Sequence, residues 1–321
     1  MNALHTAAVG LTCLIVTGCA AIAVRTAPAK VATTQRSELA LQADAVFWET
    51  LHGGDYEGID RALQGVTAAY LQDPHDAVTA AHVGWMHIWH LAESARSQAA
   101  KATLTDDAVL ARRYFQEAVA LDPTDPRYLG FLGATLLTEG AIHQDDKLAR
   151  QGYFTLLDSI QAWPEFNLFT AGYMMSNRPA ESERFKQGLQ WQWQTLDLCA
   201  GTPVDRHQPD FAPFMARAVT TGAQRVCWNS WIAPHNFEGF FLNMGDMLVK
   251  AGDWQTALKI YANAKHSPDY GQWRFAAVLQ SHIDHAQDNV AVFNGPQAER
   301  GAAGDKIMFA SSHACMACHQ R

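Results

Sequence analysis

The chain has 321 residues, with 24 Lys and Arg against 32 Asp and Glu, and the formal charge of −8 excludes the basic stripe on which a duplex-binding protein depends. Nucleic acid is therefore not an expected partner. Apolar residues make up 48% and charged residues 17%, a balance that excludes a disordered chain and supplies an ample core, while no segment beyond the N-terminus is apolar for long enough to span a bilayer.

Ala7 to Gly18 is an apolar run of signal-peptide length that closes in Val16-Thr17-Gly18-Cys19-Ala20. Small residues before a Cys in this position resemble the lipobox of bacterial lipoproteins. The resemblance implies cleavage before Cys19, a diacylglycerol on its thiol, and an outer-membrane destination on the periplasmic or cell-surface side, because Ala20 rather than Asp follows. Residues 1 to 24 depart from that family in having no Lys or Arg. Residues 1–18 are thus expected to be a signal peptide, and residues 19–36, small, polar and Pro-containing, a tether that holds the chain to the membrane through the lipid.

From residue 37 the sequence reads as helices that recur. Ala62, Val66, Ala69 and Pro74 are spaced like Ala111, Phe115, Ala118 and Pro123, and each unit ends in an Asp-Pro pair. A third unit carries Gly245, Leu248, Gly252, Ala257, Tyr261, Ala264 and Pro268. This spacing resembles the tetratricopeptide repeat, in which small residues let two antiparallel helices touch, an aromatic fills the gap and Pro stops the second helix. The resemblance implies an all-α fold of helix pairs, an α-solenoid, over residues 37–290. Pro74 and Pro123 are 49 residues apart, so the second unit needs extra length, and the segment 101–107 is the expected insertion. Tyr128, Leu132 and Leu136, then Leu148, Tyr153, Leu156 and Ile160, predict another helical pair. A helix over 182–198 precedes an irregular stretch, 200–236, that holds Pro203, Pro209, Pro213 and Pro234. Cys199 and Cys227 flank most of it and are expected to form a disulfide, since export places both thiols in an oxidising compartment. Asp106-Asp107 and Asp145-Asp146 are expected to cap helices.

After a helix over about 273–285 the composition shifts to Gly, Ala and polar residues, and residues 291–321 are expected to be a linker and a short tail. The tail contains Cys315-Met316-Ala317-Cys318-His319, the attachment sequence of c-type haem. Two thiols at this spacing add to the two vinyl groups of the macrocycle while the adjacent imidazole reaches the iron. Gly304-Asp305-Lys306 and Phe309 before it resemble the N-terminal helix of class I cytochromes c over roughly residues 301–319. The resemblance implies one haem c, with Cys315 and Cys318 as covalent anchors and His319 as the axial ligand. The C-terminal helix and distal-Met loop of that family have no counterpart after Arg321. A dithiol redox pair, half a zinc site and a shortened cytochrome segment are the competing readings.

Upstream residues are then weighed as the second axial ligand. His82, Met86 and His90 lie at i, i+4 and i+8 and share one helix face, which suits an axial ligand or a copper or zinc ion. On a helix this aromatic, the alternative is hydrogen-bonded, half-buried histidines. His282 and His285 precede the linker at i, i+3, where the alternative is a solvated helix end. Met308 and His313 stand on the proximal side, and His143, His207, His235 and His266 carry no spacing signal. No nucleophile elbow, phosphate loop or His-Glu-x-x-His sequence appears, so catalysis is not required. The expected function is one-electron transfer with a redox partner docked on the helical body. Two alternatives stay open: a haem-free scaffold lipoprotein, and a haem enzyme or gas sensor with an open iron site.

Overall fold

The computed structural model describes residues 30–92, 102–217, 219–228, 231–232, 235–295 and 306–320, with isolated positions before residue 30. The apolar leader, Cys19 and the Gly304-Asp305 pair lie outside the described residues. Within them the chain is helical and contains no strand.

Helices α1 (Glu38–Gly53) and α2 (Ile59–Gln72) form the first pair, α3 (Ala77–Ala92) and α4 (Ala102–Leu121) the second. The third pair is α5 (Pro126–His143) and α6 (Asp146–Ala162), and the fourth is α7 (Pro164–Met175) and α8 (Glu183–Ala200). A short α9 (Ala212–Met215) interrupts the irregular stretch before α10 (Phe237–Lys250) and α11 (Trp254–Asn263) make the fifth pair. Then come α12 (Ala276–Asp284), α13 (Asn289–Asn294) and, in the tail, α14 (Met316–His319). The partners within each pair pack on one another.

The starts of these helices follow from side-chain oxygens that satisfy otherwise orphaned backbone donors. Ser37 accepts from Ala40 N, Ser182 from Phe185 N, and Asn236 from Gly239 N. Asp145 caps α6 through Lys147 N and Leu148 N, as its sequence position suggests. Asp106 and Asp107 do not cap, because α4 already begins at Ala102. Of the expected insertion at 101–107, residues 102–107 lengthen the second helix of the pair, where Asp107 accepts a hydrogen bond from His87 Nδ1 at 2.8 Å. Extra length in the second unit is taken up as helix, because a buried partner on α3 rewards continuing the turn.

Helix contact in the fifth pair depends on a missing side chain. A Cβ on Gly245 would lie 2.1 Å from Tyr261 Cε1, so only glycine lets α10 accept the fully buried Tyr261 ring from α11. The main core then runs from Phe47 and Ile59 in the first pair through Phe241 and Tyr261 to Met308 and Cys318 in the tail. Cys199 and Cys227 are joined by a disulfide across 28 residues, which pins the irregular stretch to the end of α8. Closing a loop of that length stabilises by about 3 to 4 kcal/mol in the chain-entropy account.

Asp246, fully buried on α10, receives three donors: His282 Nδ1 at 2.6 Å, the Tyr261 hydroxyl at 2.8 Å and the Met308 backbone N–H at 2.6 Å. It therefore joins α10, α11, α12 and the tail at one point. At the other end of the chain, Arg36 donates to Asp44 and, through Nε at 2.7 Å, to Asp76, while His82 Nδ1 donates to Asp44 at 2.8 Å. Burial pushes the Asp44 carboxyl up, but the hydrogen bonds and charges of His82 and Arg36 outweigh it and hold the group at about 2.

Two expectations follow from these networks. Asp246→Ala strands three buried donors at roughly 1 to 3 kcal/mol each, so a loss of at least about 3 kcal/mol is expected in urea unfolding. An unchanged midpoint would show that the donors find other acceptors. For Asp44, the folded-state value lies below the unfolded one, so its contribution is complete above about pH 4 and is lost as pH falls toward 2. Asp44→Asn should remove about 2 kcal/mol at neutral pH and flatten the stability profile in that acid window.

Candidate functional site

The tail does not hang from the helical body. It is inlaid in it. Asn236, at the start of α10, donates from its backbone N to Cys318 O at 2.7 Å and from Nδ2 to Gln320 O at 2.5 Å. Trp273 Nε1 donates to Ala317 O at 2.9 Å, and the Tyr173 hydroxyl donates to Ala314 O at 3.2 Å. On the α10 side the approach is backbone to backbone: a Cβ on Gly239 would stand 2.6 Å from both Ala317 O and Cys318 Cα. Cys315, Cys318 and His319 are consequently 8%, 3% and 4% exposed.

These three side chains edge one cavity of about 470 Å³, within the roughly 300 to 1,000 Å³ typical of small-molecule sites. Its walls come from α3 (Trp85, Ile88), α4 (Ala108), α5 (Phe131, Ala134) and α7 (Phe169, Tyr173), with Phe309 from the tail. The lining is mainly apolar. Trp85 packs edge-on against Phe131 at 4.2 Å between ring centres, and edge-on against the His319 ring at 5.3 Å. Thr170 lines the same cavity and its buried hydroxyl has no hydrogen-bond partner. There is thus room for a bulky, largely apolar group within reach of two thiols and one imidazole.

Burial at the rim favours the protonated form of Cys318. Burial pushes the Cys318 thiol far up from its ordinary range, and the nearby Glu238 carboxyl adds to the shift. Glu238 is itself 1% exposed and raised by burial, with Oε1 unpartnered. A thiol in this setting is a poor nucleophile and a poor redox partner while the tail is docked. Nor do Cys315, Cys318 and His319 gather with other ligands into a compact metal-binding set among the described residues.

The five upstream residues weighed as axial ligands are not brought to this cavity. His82 is buried against Phe47, stacked at 3.9 Å, and bonded to Asp44. Met86 is fully buried in the main core. His90 belongs with His87 and Asp107, whose ligand atoms lie within 4.8 Å of one another on α3 and α4, and its ring is raised by the Asp107 hydrogen bond. His282 is 1% exposed and committed to Asp246, so it is neither a ligand near the tail nor a solvated helix end. His285, just after α12, lies 3.4 Å from Ser281 Oγ. The residue that sequence reasoning passed over is His235: its ring lies 4.8 Å from that of His319, at 42°, in the wall of the same cavity. No spacing signal marks it, because the rings it packs on, Phe169 and His319, are 66 and 84 residues away in the chain.

Gly239→Ala should force α10 and the tail apart, at a cost of about 2 kcal/mol. In protein produced without haem-attachment machinery, maleimide labelling of Cys315 and Cys318 should then accelerate while the Cys199–Cys227 disulfide persists. Unchanged labelling would mean that the helix shifts instead. Comparison with protein-family models, with curated proteins and with solved structures finds no match to this chain.

Proposed function

We propose that the chain is an exported, lipid-anchored c-type cytochrome carrying one haem c, with a tetratricopeptide-like helical body, and that it passes single electrons to and from a docked redox partner. The observation that carries this reading is the convergence of Cys315, Cys318 and His319 on one apolar cavity of about 470 Å³. The attachment sequence alone would permit several chemistries. A dithiol role is disfavoured by the upward shift of the Cys318 thiol, and a zinc role because Cys315, Cys318, His319 and His235, though they line one cavity, do not draw their ligand atoms into a compact set among the described residues.

Covalently held haem supplies reversible one-electron chemistry between ferric and ferrous iron. The chain's own groups do the rest. Cys315 Sγ and Cys318 Sγ would hold the group through two thioether bonds, each thiol giving its proton to the vinyl carbon beside the new C–S bond, and His319, next in sequence to Cys318, would supply an imidazole to the iron. Trp85, Phe131 and Phe169 exclude water from the cavity, which lowers the reorganisation that accompanies a change of charge. The unpartnered Thr170 hydroxyl is one polar contact available inside.

A lipid on Cys19 would tether the chain to the membrane; no helix among the described residues is long and apolar enough to cross a bilayer. The periplasmic or cell-surface side of the outer membrane is the corresponding location. The partner would dock on the helical body, by the same logic through which stacked helix pairs present an extended surface.

Expression with a cytochrome c maturation system should yield a pyridine haemochrome spectrum of haem c that survives denaturation. Cys315→Ser with Cys318→Ser should abolish it. Absence of covalent haem in the unaltered chain would overturn the proposal and return the protein to the class of helical scaffolds.

A further inference from the structure

We infer that His235 is the second axial ligand of the haem iron, so that the iron carries two imidazoles and has no open position. The inference rests on the haem reading above and concerns the side of the site that the attachment sequence leaves undefined.

Three observations carry it. First, the His235 ring shares a cavity with His319, Cys315 and Cys318, and already sits 4.8 Å from the His319 ring. Two metal–imidazole bonds of about 2 Å each put the ligating nitrogens of such a pair about 4 Å apart, and since each ring centre lies about 1 Å beyond its nitrogen, the ring centres would move from 4.8 Å to about 6 Å apart to accept an ion between them. Second, the ring is held from both sides in sequence. Asn236 ties its own backbone to Cys318 O and its side chain to Gln320 O, and caps α10 through Gly239 N. Eight positions upstream, Cys227 is fixed to Cys199. His235 is therefore bolted to the same turn that carries His319, and the spacing of the two rings is set by two backbone-anchored hydrogen bonds. Third, the ring packs edge-on against Phe169 at 4.6 Å, which fixes it in the wall of the cavity.

The rival within the cavity is Met174, a thioether that lines the same wall. A Met ligand would imitate the arrangement of class I cytochromes. His235 is favoured because its ring already packs on that of His319, and because Asn236 couples it to the attachment turn. A saturated iron also fits electron transfer, in which the coordination number need not change.

The test uses the full chain matured with covalent haem, and reads spectra rather than activity. The unaltered ferric protein should be low-spin with the electron paramagnetic signature of two imidazoles, and should not bind CO in the ferrous state. His235→Ala should become high-spin and bind CO, while retaining covalent haem, helical circular dichroism and the disulfide. Added imidazole should restore the low-spin spectrum, a rescue that a merely structural role would not give. His235→Met should give the long-wavelength band of methionine-ligated ferric haem. Covalent haem with a His235→Ala spectrum that stays low-spin overturns the inference, and conversion by Met174→Leu instead assigns Met174 as the ligand. A high-spin spectrum in the unaltered chain also overturns it and points to an open site. Failure to attach haem at all sinks the underlying reading as well, and is distinguished at once by the haemochrome.

Discussion

One buried carboxyl group, Asp246, does more than any other residue to decide how the end of this chain is arranged. Burying a polar group without partners costs several kcal/mol, so its three donors must be present together or not at all. They come from α11, α12 and the backbone of the tail. The register of the tail is therefore set at Met308, before the attachment sequence is reached. The later contacts of Asn236, Trp273 and Tyr173 with residues 314–320 refine a position that this group has already chosen. An apolar contact at the same place would have allowed sliding, because packing alone does not distinguish neighbouring registers as sharply as paired hydrogen bonds do.

The cavity beside the tail follows from that placement. Trp85 and Phe131 meet at 4.2 Å and belong to helices of different pairs, α3 and α5, and they close one wall; the tail closes another. Interiors are otherwise close-packed, with few voids larger than a water molecule. A cavity of about 470 Å³ is thus a feature the packing has to sustain, and its lining by large aromatic residues is what prevents collapse. The sequence holds 10 Trp and 15 Phe, but their number does not say what they line.

Much of the fold was legible because its causes are local. Ser37, Ser182 and Asp145 sit where a cap is required, and Gly245 and Tyr261 are spaced so that one helix makes room for the other's ring. The helix pairs could be read from these signals, and so could the grouping of Cys315, Cys318 and His319, which sequence adjacency guarantees. What could not be read depends on partners far away in the chain. His282 resembles a solvated helix end until Asp246, 36 residues earlier, is brought beneath it. His235 lies in a proline-rich stretch with no periodicity, and only the contact of Asn236 with Cys318 and Gln320 gives its position meaning. Repeat arithmetic marked 101–107 as extra length without deciding between helix and loop, and His87 gives Asp107 a reason to be helical.

A linear stack of helix pairs is held by nearest neighbours and frays from its ends. Here the last described helix reaches back to the first. Helix α14 packs on α1 as well as on α10, and Gly54, just past α1, stands against Gln320 and Met316. The two termini of the stack therefore brace each other, and the opening of one exposes the other. Such closure couples the opening of the tail to that of the first helix pair.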